Sequence, residues 1–136
     1  DKKFIQKLMK QIKQGNKELF IVNDKLGTPT YTQDFALNVK LLIQKNKRGL
    51  FNMVCDGLTS RLEVATELLR LLNIENKVKI IEVDSEYFSK DYFADRPDCE
   101  RLINKKLDDQ GLNIMRDWKV ALHNYIDDYY EGYLDN

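Results

Sequence analysis

Three threonines at alternating positions, Thr28, Thr30 and Thr32, stand in the run Gly27-Thr28-Pro29-Thr30-Tyr31-Thr32-Gln33-Asp34. Hydroxyls set just ahead of a helix, beside its unbonded N–H groups, suit a phosphate or a carboxylate. The same residues also cap helices and turn chains, and the spacing leaves both readings open. Arg96-Pro97 is the second feature. Proline disfavours helix at the residue before it, so Arg96 is held extended, its planar fork offered to a diphosphate or to a carboxylate of the same protein. The nearby aromatics Tyr87, Phe88, Tyr92 and Phe93 can stack a base or sugar, or pack as core or lid.

Other chemistries lack their residues. One histidine, His123, and two cysteines, Cys55 and Cys99, 44 positions apart, do not make a metal cluster or a disulfide framework. His123 falls beside the apolar stripe of a helix and reads as a surface residue. Neither cysteine sits in a nucleophile motif, and no GxSxG occurs. Asp108-Asp109 and Asp127-Asp128 are adjacent pairs, which point apart on a helix and are expected to be solvated. Neither GxGxxG nor GxxxxGK[ST] is present.

The elements that must hold these residues follow from the pattern. Phe4, Ile5, Leu8, Met9 and Ile12 recur at helical spacing and Gly15-Asn16 stops them, predicting a helix over 2–14. Glu18 to Val22 reads as a strand. Thr30 with Gln33 forms a possible capping box for a helix carrying Phe35, Ala36, Val39, Leu42 and Ile43, ended by Lys45, Lys47, Arg48 and Gly49. Leu50 to Cys55 is a second strand candidate. Ser60 and Glu63 form a second capping box, opening a helix with Leu62, Ala65, Leu68, Leu69 and Leu72 on one side. Val78 to Val83 is the third strand. A short helix from Asn104 to Gln110 stops at Gly111, and a last helix from about Asp117 spaces Trp118, Ala121, Leu122, Tyr125, Ile126 and Tyr129 by threes and fours. Strand, helix and strand at this spacing predict an α/β fold.

With 136 residues, 43% hydrophobic and 32% charged, the chain is one domain's worth of ordinary globular sequence. Net charge is zero, which predicts no attraction of the whole molecule to nucleic acid. Its distribution is uneven: residues 1–50 carry 11 basic and 4 acidic groups, residues 51–136 carry 11 and 18. That split sets a basic face against an acidic one, or reflects solvated helix surfaces of different charge. No stretch approaches the ~18 apolar residues of a membrane span, and no signal-type region opens the chain, so no membrane partner and a cytoplasmic location are expected. Opening on Asp1 rather than Met suggests a domain boundary there.

Taken in order, these blocks resemble the C-terminal part of the extended short-chain dehydrogenases, the sugar-nucleotide reductases and epimerases that include dTDP-4-dehydrorhamnose reductases. The resemblance covers almost the whole chain. Phe4-Ile5 leads; Val22-Asn23-Asp24 precedes Gly27-Thr28-Pro29-Thr30-Tyr31-Thr32-x-Asp34-Phe35-Ala36; Gly49-Leu50-Phe51-Asn52 leads to Ser60 and Glu63-Val64-Ala65. Arg96-Pro97-x-x-x-x-Leu102, Lys106-Leu107 and Asp117-Trp118-x-x-Ala121-Leu122 follow. The Gly-Thr-Pro-Thr-Tyr-x-x-Asp block is the most specific. The chain departs at Lys25, where the rhamnose reductases usually have Gln, and at Cys99-Glu100, where they commonly have Asn-Ser.

The resemblance implies a two-domain enzyme. An N-terminal Rossmann domain binds NADPH or NADH and supplies a Tyr-x-x-x-Lys pair, while the C-terminal part holds the nucleotide-sugar substrate. Tyr31, Tyr87, Tyr92 and Tyr125 are followed four residues on by Phe35, Asp91, Arg96 and Tyr129, so that pair is not in this sequence. It implies a small mixed α/β substrate-binding domain over residues 1–136, plus a helix-strand segment belonging to the missing Rossmann sheet, with residues about 32–55 packing on the Rossmann domain. The implied reaction of the intact enzyme is reduction of dTDP-4-dehydro-L-rhamnose to dTDP-L-rhamnose, with no activity of this fragment alone. An epimerase or dehydratase fragment, or a non-catalytic interaction module, are the alternatives. Substrate contact is expected at Thr28, Thr30, Tyr31 and Arg96, with no catalytic, cofactor or metal residues. A severed strand at residues 50–54 is expected to promote self-association.

Overall fold

The computed structural model describes residues 4–91 and 97–135. Arg96, with Tyr92 and Phe93, lies outside the described residues. In chain order the elements are α1 (Phe4–Lys13), β1 (Glu18–Val22), α2 (Thr32–Gln44), α3 (Arg61–Leu71), β2 (Lys79–Val83), a 3₁₀ segment (Ser85–Asp91), α4 (Lys105–Asp108) and α5 (Trp118–Tyr130). β1 and β2 form a parallel pair with Glu18 opposite Lys79 and Val22 opposite Val83. The result is the expected small mixed α/β domain, built on a two-stranded parallel sheet.

Parallel strands need a crossover, and here it contains both α2 and α3. α3 starts where the sequence predicts: Ser60 Oγ accepts from Glu63 N–H at 3.2 Å, and the Ser60 hydroxyl donates to Glu63 Oε2 at 3.1 Å. Val64, Ala65, Leu68 and Leu69 then face Leu19 and Ile21 of β1 in the main core, which Met9 of α1 and Trp118, Leu122 and Ile126 of α5 complete. Asp117 caps α5, its carboxylate accepting from Lys119 N–H at 2.8 Å.

Three details of the sequence reading are corrected. The Thr30–Gln33 capping box does not form: the N-cap of α2 is Tyr31, with no side-chain cap bond. The helix ends earlier than Gly49, at Gln44 with Lys45 as C-cap, and Asn46 beyond it takes φ 51° and lets Lys47 N–H reach Leu42 C=O at 2.9 Å. Leu50 to Cys55 joins no ladder among the described residues. Instead the Asn104 side chain, at the start of α4, substitutes for a neighbouring strand. Its Oδ1 accepts from Val54 N–H at 2.9 Å and its Nδ2 donates to Val54 C=O at 2.8 Å. Asn38 of α2 does the same for the chain ahead of α5, donating to Leu112 C=O and accepting from Ile114 N–H.

Candidate functional site

The Gly27–Thr32 run is held from three sides. Leu26 N–H donates to Asp98 C=O and Glu100 N–H donates back to Leu26 C=O, both at 2.8 Å, while Gly27 N–H donates to Thr59 C=O at 3.1 Å. Thr28 Oγ1 donates to Gly57 C=O at 2.8 Å. Gly57 occupies φ 92°, a region side chains avoid. A Cβ there would also lie 2.8 Å from Cδ1 of the Trp118 indole, so only glycine permits this approach.

Around this run opens a cavity of about 560 Å³, within the range of small-molecule sites. Thr28, Thr30 and Tyr31 line it, as does Lys25. Phe4, Trp118 and Tyr125 supply aromatic wall; Arg61, in the first turn of α3, and Glu100 supply opposite charges. Lys25 Nζ meets Asp98 Oδ1 at 2.7 Å, and the Arg61 guanidinium lies over the Phe4 ring at 5.9 Å. The site therefore offers hydroxyls, flat apolar faces and charges of both signs, a set suited to a ligand with a ring, hydroxyls and an anionic group.

Of the four sequence-predicted contacts, three converge here and one, Arg96, falls outside the described residues. Tyr31 reaches the cavity already engaged: it is buried, and its hydroxyl donates to Asp128 at 2.7 Å. Burial, then the Asp128 carboxylate, pushes its pKa well above the ordinary tyrosine value. Arg61, Trp118 and Tyr125 were missed. Trp118 and Tyr125 lie on the apolar stripe of α5 and read as core, which they also are; Arg61 carried a signal, its place directly after the N-cap Ser60.

Beneath the run lies a second polar constellation. Asp34 is 3% exposed and accepts at Oδ1 from Arg116 Nε at 2.9 Å and Nη2 at 2.7 Å. Arg116 Nη1 also donates to Asn124 of α5. Cys55 is buried beside it, its thiol accepting from Tyr31 N–H, and burial pushes its pKa up. Neither Asp34 nor Cys55 lines the cavity. The adjacent aspartates diverge as expected: Asp109 pairs with Lys105, Asp108 accepts from Asn113, Asp127 faces His123 and Asp128 takes the Tyr31 hydroxyl. Tyr87 stacks on Phe20 of β1 at 5.3 Å, away from the cavity. No three-residue metal-binding group occurs among the described residues, and none of their helices is long and apolar enough to cross a membrane.

The fold is thus a small parallel α/β domain with an open cavity formed by loops and the flanks of α3 and α5. The RmlD substrate binding domain family matches residues 1–131, and the chain belongs to that family. It is 28% identical over 123 residues to the spore coat polysaccharide biosynthesis protein SpsK of Bacillus subtilis strain 168, covering 90% of this chain and 41% of that protein. Among solved structures it resembles a dTDP-4-dehydrorhamnose reductase from Clostridium acetobutylicum (36% identity, TM-score 0.81, 89% of this chain and 42% of that one). It also resembles the enzyme of the same description from Yersinia enterocolitica (29%, TM-score 0.82, 93% and 43%). A third, from Bacillus anthracis, was solved in complex with NADP (25%, TM-score 0.79, 93% and 42%). The chain thus spans well under half the length of each.

Proposed function

We propose that this chain is the substrate-binding portion of an NAD(P)H-dependent sugar-nucleotide reductase, and that the intact enzyme reduces dTDP-4-dehydro-L-rhamnose to dTDP-L-rhamnose. The observation that carries this reading is the cavity at the Gly27–Thr32 run, walled by hydroxyls, aromatic faces and charge, in a chain of the RmlD substrate-binding family. In this reading Thr28 and Thr30 shape the polar wall and Tyr31 packs behind them, while the diphosphate contact is assigned to Arg96, which lies outside the described residues. The nicotinamide cofactor, NADPH or NADH, supplies the hydride for such a reduction. This sequence has no glycine-rich dinucleotide turn, so its residues do not form that site, which is assigned to a Rossmann portion.

The partner surface for that portion is α2 and the segment after it. α2 buries Asp34 and Asn38 against its own domain, yet Phe35, Leu37 and Ile43 are 42%, 53% and 69% exposed. Covering such side chains returns roughly 1.5–3 kcal/mol each when burial is complete, so this face favours a neighbour. In the chain alone, self-association through residues 50–54 uses the same preference, centred on Leu50, which is 85% exposed. Light scattering of the isolated chain is expected to show dimers that Leu50→Lys removes. A monomer at all concentrations overturns that part.

The direct test is enzymatic. The chain alone, given NADPH and dTDP-4-dehydrorhamnose, is expected to oxidise no NADPH above background; joined to a Rossmann portion it turns over, and Arg96→Ala raises KM more than it lowers kcat. Turnover by the chain alone refutes the assignment. Failure of the joined protein to bind any dTDP-sugar refutes the substrate class.

A further inference from the structure

Glu100 is fixed to the site by its backbone. Its N–H donates to Leu26 C=O at 2.8 Å, the Leu26–Cys99 bridge runs parallel beside it, and its Cβ is 4.0 Å from where a side chain at Gly27 would begin. Glu100 is accordingly part of the cavity lining, beside Gly27. Among the described residues it has no hydrogen-bond or ion-pair partner. The charges around it do not favour an anion at this end: Lys25, the basic lining residue nearest Gly27 in sequence, is paired with Asp98 at 2.7 Å, and Arg101, next to Glu100 in the chain, is turned to Thr59 C=O, its Nη2 donating at 3.1 Å. Arg61, the other basic lining residue, comes from the first turn of α3 rather than from the loop.

We propose that Glu100 is a specificity-determining residue that orients the substrate, its carboxylate accepting hydrogen bonds from hexose hydroxyls while excluding phosphate from the Gly27 end of the cavity. This rests on reading the cavity as the nucleotide-sugar site. A carboxylate accepts and cannot donate when ionised, so it rewards the hydroxyl-rich end of the ligand and penalises the phosphate end. The discrimination is between binding the nucleotide with its sugar and binding the nucleoside diphosphate alone, in either direction along the cavity.

Calorimetric titration of the 136-residue chain with dTDP and with dTDP-glucose, for the parent, Glu100→Gln and the control Glu86→Gln, tests it. Glu86 carries a carboxylate outside the cavity lining. Removing one repelling charge within about 8 Å of a diphosphate is expected to tighten dTDP about three- to tenfold at low salt, an effect that fades as salt screens it. The same substitution should leave dTDP-glucose unchanged or weaker, so the dissociation constant for dTDP divided by that for dTDP-glucose falls about threefold or more, with Glu86→Gln neutral. Equal changes for both ligands, or none, overturn the role of Glu100 and leave the site standing. Binding of neither ligand by the parent protein overturns the site reading itself.

Discussion

Gly57 offers a way to separate backbone strain from packing at the cavity. Replacing it with alanine places a methyl group 2.8 Å from Trp118 Cδ1, 3.2 Å from Nε1 and 3.1 Å from Asp117 Oδ2, at φ 92°. Gly15 is the control, at φ 86° with open space around its added Cβ. Gly15→Ala should cost only the conformational penalty, about 1 kcal/mol. Gly57→Ala adds an overpacking cost of roughly 1–3 kcal/mol, because Trp118 is buried and cannot simply swing out. The total is about 2–4 kcal/mol, and for a chain of this length each kcal/mol lowers Tm by roughly 3–5 °C. Thermal unfolding followed by near-ultraviolet circular dichroism reads both the loss and the environment of the single tryptophan. Because Gly57 C=O also holds Thr28 Oγ1, dTDP-sugar affinity should fall in Gly57→Ala and not in Gly15→Ala. Equal destabilisation by the two substitutions would falsify the packing argument, showing that the indole yields at no cost.

Two further outcomes follow from the buried polar groups. Asn104→Ala strips both partners from half-buried Val54, and with about 1–2 kcal/mol for each partly buried group left unbonded a loss of about 2–4 kcal/mol is expected in urea unfolding; a loss below 1 kcal/mol would show that water replaces the amide freely. Tyr31, raised above its ordinary pKa by burial and Asp128, keeps its proton in the folded state where the unfolded chain releases it. Its contribution is therefore complete below about pH 10, the unfolded value, and lost as pH rises through the folded one; Tyr130, raised by burial and Tyr125, behaves alike. Stability measured from pH 9 upward should decline, and Tyr31→Phe should flatten the decline by up to one proton; an unchanged slope refutes the link.

Much of the scaffold was legible because local signals and packing agree in it. Ser60 with Glu63 starts α3, Gly111 follows α4 at φ 63°, and Asp117 caps α5. β1 and β2 are short branched runs whose alternation survives as buried Leu19 and Ile21 beside exposed Glu18 and Phe20. The site was legible at Thr28, Thr30 and Tyr31, which share one stretch of chain. It was not legible at Arg61, Trp118 and Tyr125, since a wall assembled from α3 and α5 leaves no spacing in the sequence, and an aromatic on a core stripe gives no sign that its other edge faces a cavity.

The misreadings share one physical cause. Periodicity assigns the apolar stripe of a helix to the core of its own domain, and α2 follows it only at its C-terminal end, where Leu42 packs with Leu107 and Leu112; ahead of that it turns Asp34 and Asn38 inward, and Phe35, Leu37 and Ile43 face outward. The inward polar face is required by what it meets, an irregular chain at 112–116 whose backbone groups have no ladder. Asn38 supplies both a donor and an acceptor to Leu112 and Ile114. Leu50 to Cys55 misled in the same way. A run of apolar residues predicted a strand, but the bonding of Val54 comes from the Asn104 amide. A buried asparagine satisfies one residue's N–H and C=O at a single point, which a sheet neighbour does only along a continuous edge. The segment can thus be anchored on one side while its apolar side chains face elsewhere. Asp34 and Asn38 turned inward with Phe35, Leu37, Ile43 and Leu50 outward is the arrangement that the proposed packing against a Rossmann portion requires.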